Sequence, residues 1–372
     1  MSRSDSPART HAPVLITGGC GFIGTNLAHR LASAGQPVLL FDSLARPGVE
    51  QNLRWLHDTH GNLVEVQIAD VRDAAALKQA VRRASQVFHF AAQVAVTTSL
   101  TEPLEDADIN IRGTLNLLEA IRARPDPLPL VFTSTNKVYG SLDDMGLRRR
   151  HLRYEPVDSR LLDCGIGESR PLDFHSPYGC SKGSADQYVL DYGRTFGLPT
   201  MVFRMSCIYG PHQFGTEDQG WVAHFLIRAL AGQPITLYGD GCQVRDILAV
   251  DDLVDAFLLA QEHMSTESGK AFNIGGGPAN TVSLLELVDL IVDLLGHKPE
   301  IEFDAWRAGD QRYYVTDIGR FHQATGWSPL VTVPEGLERL FRWLQEARAG
   351  AVATVATADA GSSARDAAHA RL

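Results

Sequence analysis

The chain is expected to form an α/β protein: a doubly wound parallel sheet (Rossmann-type) with a smaller α+β lobe laid over it. Three observations predict this. Short apolar runs alternate with amphipathic stretches of helix length from Val14 to about Arg204, as in a parallel sheet covered on both faces. Gly18-x-x-Gly21-x-x-Gly24 follows directly on the first apolar run and opens a helical pattern, the arrangement of a turn that admits a pyrophosphate to backbone N–H groups. Beyond Arg204 the alternation loosens into helices separated by glycine and proline breaks.

The elements follow in order. Residues 1–12 are polar and form a flexible lead-in. Val14–Thr17, Val38–Phe41, Val64–Ile68, Val87–Phe90, Leu130–Thr133 and Thr200–Arg204 read as buried strands, because they are short apolar runs of strand length. Asn26–Ala34, Ala74–Ala84 and Asn110–Arg122 carry helical periodicity between them. The connection from Tyr139 to Ser176 holds Pro156, Gly165, Gly167, Pro171 and the basic run Arg148–Arg150. It reads as a long loop, functional or disordered. Residues 221–231, 251–263 and 283–295 are further helices, with breaks at Gly232–Pro234 and Gly275–Pro278. From about Ala347 the chain turns Ala-, Ser- and Asp-rich and reads as a disordered tail, 347–372. Residues 13–205 with 243–263 are assigned to a dinucleotide-binding domain, and 206–242 with 264–346 to the second lobe. No internal repeat is visible.

Bulk properties exclude several classes. A formal net charge of −10 argues against nucleic acid as the main partner. No apolar run reaches membrane-spanning length, and the N-terminal MSRSDSPARTHAP lacks a secretory h-region. The five cysteines are scattered without metal-ligand spacing. Reduced cysteines in a cytoplasmic protein without a metal are expected.

At the glycine turn, Phe22 and Ile23 lie between Gly21 and Gly24 and share the expected contact with a dinucleotide. Asp42 ends the second strand, where a carboxylate bonds adenosine ribose hydroxyls and repels a 2′-phosphate. NAD is favoured over NADP, with Arg46 as the countervailing feature. Asp70-Val71 after the third strand, Ala91 after the fourth and Asn110 on the following helix complete the expected cofactor contacts.

The reaction chemistry is carried by STNKVYG, residues 134–140, and by Tyr178 and Lys182 in YGCSK. Residues i and i+4 share a helix face. A lysine there is expected to lower the tyrosine pKa from its ordinary value of roughly 10. Thr135 is placed to hold a substrate alcohol against the phenolate. These parts remove a proton from an alcohol while hydride leaves its carbon.

With these residues in this order, the chain resembles the extended short-chain dehydrogenase/reductases from about Val14 to Leu344, and within them the nucleotide-sugar epimerases and dehydratases. LDFHSPYGCSKGSADQYVLDYGR, YGPHQFGTEDQGWVAHF and GDGCQVRD look more specifically like the CDP-paratose (CDP-tyvelose) 2-epimerases. The resemblance implies tightly held NAD, a CDP-linked dideoxyhexose and inversion at C2 by transient oxidation. It implies that Tyr178 is the base, that Lys182 lowers its pKa and bonds the nicotinamide ribose, and that Thr135 bonds the sugar hydroxyl. Asn136 and Lys137 stand where 4,6-dehydratases carry an acidic pair. Arg245 and Arg312 match arginines that grip the diphosphate. Gln213 and Trp221 fall in stretches that line the base or sugar pocket, and Cys207 stands where many relatives have an asparagine that touches substrate. Relatives are usually dimers or tetramers. Other readings stay open: epimerisation at C2 of CDP-glucose or C4 of a UDP-sugar, a 4,6-dehydratase, and a non-catalytic nucleotide-binding protein.

Overall fold

The computed structural model describes residues 12–307 and 309–349. The lead-in 1–12 and the tail 347–372 lie outside the described residues except for Ala12 and 347–349, and the latter continue the helix 333–349 instead of opening a tail.

Seven parallel strands form the main sheet. β1 (Val14–Thr17), β2 (Val38–Asp42), β3 (Val64–Ile68), β4 (Gln86–His89) and β5 (Leu130–Thr135) are joined by Thr200–Met205 and Lys270–Ile274. From one edge the order is Lys270–Ile274, Thr200–Met205, β5, β4, β1, β2, β3. The chain reverses its direction of winding between β1 and β4, and such a sheet opens its crevice there, at the carboxyl ends of the strands.

Burial explains why these strands read as continuous apolar runs. Val14 and Ile16 point to one face, among Leu27, Leu31, Phe203 and Phe257. Leu15 points to the other, among Leu117, Phe132 and Val189. Helices cover both faces, so neither register position is polar.

Three expectations need correction. Lys270–Ile274 belongs to the main sheet, although 264–346 was assigned to the second lobe; it pairs in parallel with Thr200–Met205. Conversely Val244–Ala249, from the stretch assigned to the dinucleotide-binding domain, lies at the centre of a smaller sheet. There it pairs with Cys207–Tyr209, Thr281–Ser283 and Tyr313–Tyr314. These pairings are non-local, and a five-residue strand carries no record of its distant partner. The connection 139–176 is also no irregular loop. It contains an antiparallel hairpin, Leu147–Arg150 with Arg153–Pro156, and a short helix, Ser159–Cys164. Glu168 then accepts the backbone N–H of Asn273 at 2.7 Å and so straps the sheet edge.

The second lobe has its own core, with Tyr209, Phe225, Leu226, Leu237, Ile291 and Leu340 at its centre. It also meets the main domain beside β2. The Asn26 amide donates to the Pro211 carbonyl at 2.9 Å, and Asn52 to His212 O at 3.3 Å. The rings of Trp55 and His212 lie 4.0 Å apart. A Cβ on Gly48 would fall 2.8 Å from the Phe214 ring, so residues 211–214 press against the loop that follows Asp42.

Under the sheet's other face, Arg204 donates to both oxygens of Asp186, at 2.9 and 3.0 Å, from the strand Thr200–Met205 to the helix Ser176–Phe196. The Asp186 side chain is 0% exposed and that of Arg204 6%. Asp186→Ala leaves a guanidinium buried without its partner and is expected to cost about 3–5 kcal/mol. Denaturant unfolding measures this; a loss within the range of an exposed pair contradicts it.

Candidate active site

β1 is followed by Gly18, whose φ of +68° and proximity to the segment after β4 both exclude a side chain: a Cβ would stand 2.7 Å from the Ala91 nitrogen. The turn leads into α1 (Phe22–Ser33). A Cβ on Gly24 would meet the Gly18 carbonyl oxygen at 2.4 Å and Gly19 Cα at 2.7 Å, so the first helical turn sits directly on the glycine loop. That turn, which includes Phe22 and Ile23, has neither a side-chain cap nor an acidic residue. Its uncapped amides and the helix dipole suit an anion. Asp42 accepts N–H from Cys20 at 2.9 Å and from Leu44 at 2.9 Å, which fixes its carboxylate at the crevice. Burial raises its pKa, against the pull of these bonds and of Arg46. The glycine cradle, the uncapped helix and the fixed carboxylate fit NAD.

The remaining expected contacts divide. Ala91 borders the glycine loop, its N–H directed to Thr17 Oγ1 at 3.3 Å. Asp70 is held by Arg72 through bonds of 2.9 and 2.7 Å, which lower its pKa. Val71 is buried against Gly113, and its carbonyl accepts from Asn116. Asn110 is buried in a single π-type turn, 108–112. Its amide braces the loop after β4 through the Gln93 N–H and carbonyl, at 2.9 and 3.0 Å, and bonds Ser181 at 2.9 Å. Asn110 thus ties that loop to the helix Ser176–Phe196.

That helix carries Tyr178 and Lys182, both buried. Ser99 Oγ accepts the Tyr178 N–H at 3.1 Å and seats the helix start. Thr135, the last residue of β5, lies within hydrogen-bonding reach of the Tyr178 side chain. Its hydroxyl also accepts the Lys137 N–H at 3.2 Å. The sequence placed these three residues together, and the structure brings them together.

The electrostatics differ from the expectation. Burial pushes the Tyr178 phenol up to about 12, and Asp106 adds to the rise, while the Thr135 hydrogen bond opposes it. Lys182 does not lower it. The reason is that the ammonium is itself desolvated: it sits 4.3 Å from the centroid of the Phe132 ring, and its pKa falls to about 7 despite Asp186 and Asp106. Asp106 went unnoticed in the sequence. It is fully buried and accepts from Asn110 at 3.2 Å, and its second oxygen has no partner. Its only signal was its place one helical turn before Asn110.

A second group gathers beyond Thr135. Arg245 is buried and donates to Asp310 at 2.6 Å. Trp221 donates its indole N–H to Cys207 Sγ at 3.3 Å. Cys207 therefore faces an indole, and burial raises its thiol pKa. Asn136 bonds Gln311 at 3.3 Å. Gln213 is buried and donates to the Ile208 carbonyl at 3.2 Å, with its own oxygen unpaired. Arg312 stands apart: it is exposed, lying 5.5 Å from the Trp306 ring and 5.9 Å from that of Tyr154. Arg307 was missed. It lies 3.8 Å over the Tyr238 ring and donates to Glu217 at 3.0 and 3.1 Å. Among the described residues no group of three or more His, Cys, Asp or Glu is arranged to hold a metal, and no helix is long and apolar enough to cross a membrane.

Known proteins resemble this chain over most of its length. The family described as "NAD dependent epimerase/dehydratase family" matches residues 14–275. A CDP-paratose 2-epimerase of Salmonella typhi is 43% identical over 337 residues, covering 89% of this chain and 98% of that protein. The structure of a UDP-glucose 4-epimerase from Thermotoga maritima, solved with UDP-glucose, superposes with a TM-score of 0.77 at 30% identity, covering 90% of this chain and 99% of the other. A dTDP-glucose 4,6-dehydratase from Streptomyces venezuelae, solved with NAD bound, gives 0.78 at 29% identity, covering 91% and 98%.

Two outcomes follow from the geometry. Gly24→Ala puts a methyl into backbone that cannot yield without opening the turn, and the purified protein is expected to lose its NAD; cofactor released on denaturation and read by absorbance checks this, and an undiminished content contradicts it. Lys182 in the cofactor-free protein should titrate near about 7. Because its folded pKa lies below the unfolded one, it holds stability down fully below about 7 and progressively less as pH rises toward about 10. Lysine side-chain NMR, with Lys182→Met for assignment, locates the midpoint.

Proposed function

This chain belongs to the NAD dependent epimerase/dehydratase family, and on that premise we propose that it is a nucleotide-sugar epimerase that converts CDP-paratose to CDP-tyvelose by inversion at C2. The observation that carries epimerisation over dehydration lies just after Thr135. The next two side chains are an amide and an amine, both turned to the segment 309–311, where elimination needs a carboxylic acid to protonate the departing hydroxyl. The CDP-sugar is supported by the 43% identity to a CDP-paratose 2-epimerase.

NAD is the cofactor. Gly18, Gly21, Phe22, Ile23, Gly24, Asp42 and Ala91 would hold it, with Lys182 at its nicotinamide ribose. When bound it supplies the hydride acceptor and, later in the same turnover, the hydride donor. Tyr178 takes the proton of the sugar hydroxyl, and Thr135 holds that oxygen in line. Burial makes the phenolate costly to form and correspondingly strong as a base, and the Thr135 hydrogen bond offsets part of the cost. The keto-sugar then turns over while Arg245 keeps the diphosphate, and Tyr178 returns the proton to the oxygen of the inverted centre. Arg245 is preorganised for this by burial and by Asp310, and guanidinium suits a phosphate.

Five unpaired cysteines support a reducing, cytoplasmic setting. Exposed Leu100, Leu104, Tyr188 and Phe196, on helices that pack together, support a homo-oligomer.

Tyr178→Phe is expected to lower turnover by roughly 10²–10⁴-fold while NAD remains bound; normal activity in this variant sinks the mechanism. The substrate is tested by NMR of the NAD-loaded protein with CDP-, UDP- and GDP-sugars. Inversion at C2 of CDP-paratose without solvent deuterium is the expected result. Deuterium uptake at C5 would make the protein a dehydratase, and inversion at C4 of a UDP-sugar would move its substrate class.

A further inference from the structure

Lys137 has no part in the proton transfer, yet it connects the two halves of the site. Its backbone N–H fixes the Thr135 hydroxyl. Its ammonium reaches the other way, donating to the Gly309 carbonyl at 3.3 Å and standing 3.9 Å from Asp310 Oδ1. That same oxygen accepts from Arg245 Nη2 at 2.6 Å. The neighbouring contacts run in parallel: Asn136 bonds Gln311, and Gln311 donates to the Gly140 carbonyl at 2.6 Å. Segment 309–311 is thereby pinned to the turn that bears Thr135.

The charges in this cluster do not balance. Two cations, Lys137 and Arg245, share one carboxylate, and all three side chains are at most a quarter exposed. Surplus positive charge out of water is costly and calls for an anion. Burial and the Arg245 charge both pull the Lys137 pKa down, while Asp310 pushes it up. The lysine therefore feels both members of the pair. If Lys137 were absent, Asp310 would neutralise Arg245 alone and the surplus would vanish.

We infer that Lys137 is a positioning residue for the anionic end of the substrate: it shares Asp310 with Arg245, which leaves the arginine's charge free for a phosphate, and it holds the segment that carries Asp310 in register with Thr135. This rests on the reading that a nucleoside diphosphate group enters at Arg245.

The test is a double-mutant cycle on the NAD-loaded full chain, with CDP as the probe and calorimetry as the readout. Lys137→Met is expected to weaken CDP about tenfold, whereas in an Asp310→Asn background the same change costs less than about twofold, because no carboxylate remains to be shared. Lys137→Arg should keep near-native affinity. Equal penalties in the two backgrounds, or no penalty in either, overturn the inference. A lysine that only supports the fold lowers NAD content and melting temperature in both backgrounds, and that pattern overturns it as well. Should Lys137→Met fail to fold, Lys137→Gln carries the cycle. If the unaltered protein binds neither CDP nor UDP, the functional reading falls and takes the inference with it; if it binds CDP and the penalties are equal, the inference alone falls.

Discussion

A lysine ammonium is held where water cannot solvate it, and much of the catalytic half of the molecule is arranged around that fact. Asp106 and Asp186 both act on Lys182, one from the helix before Asn110 and one from a helical turn beyond the lysine itself. Asp186 in turn anchors Arg204, which ties the helix Ser176–Phe196 to a central strand. Asp106 is steadied by Asn110, whose amide also fixes the loop after β4. The helix is therefore positioned by buried charges as well as by apolar packing. Removing one member leaves its partner uncompensated in a low-dielectric interior.

The same logic, with the sign of the imbalance changed, runs through the second half of the site. Around Lys182 carboxylates oppose the desolvation of a cation. Around Arg245 one carboxylate serves two cations. The structure thus holds two clusters of buried charge, one around Lys182 and one around Arg245, and Asn136 and Lys137 link the turn after Thr135 to the second.

The sequence made much of this legible. β1 to β5 and the glycine turn were readable because burial on both faces writes continuous apolar runs and because the turn tolerates no Cβ at Gly18 or Gly24. Thr135, Tyr178 and Lys182 were readable from spacing and resemblance. What was hidden depended on distant partners. Lys270–Ile274 joins the main sheet through pairing with a strand some seventy residues earlier. Asp106 and Asp310 look like ordinary surface acids until the chain folds them against Lys182 and Arg245. The direction of the Tyr178 shift was misjudged for the same reason: helical spacing reports neighbours along one element, whereas desolvation depends on everything that covers it.

The contact beside β2 has its own consequence. Residues 211–214, which belong to the second lobe, press on the loop after Asp42, and the side chain of Arg46 bonds Gln219 across the same seam. A dehydrogenase exchanges spent for fresh cofactor in every cycle, and a seam closed over its dinucleotide would slow that exchange. An epimerase restores its dinucleotide before the product leaves, so a closed seam imposes no kinetic penalty on it. Tight closure here suits an enzyme that keeps one dinucleotide through many turnovers, and that closure is built from contacts of the second lobe, apart from the glycine turn.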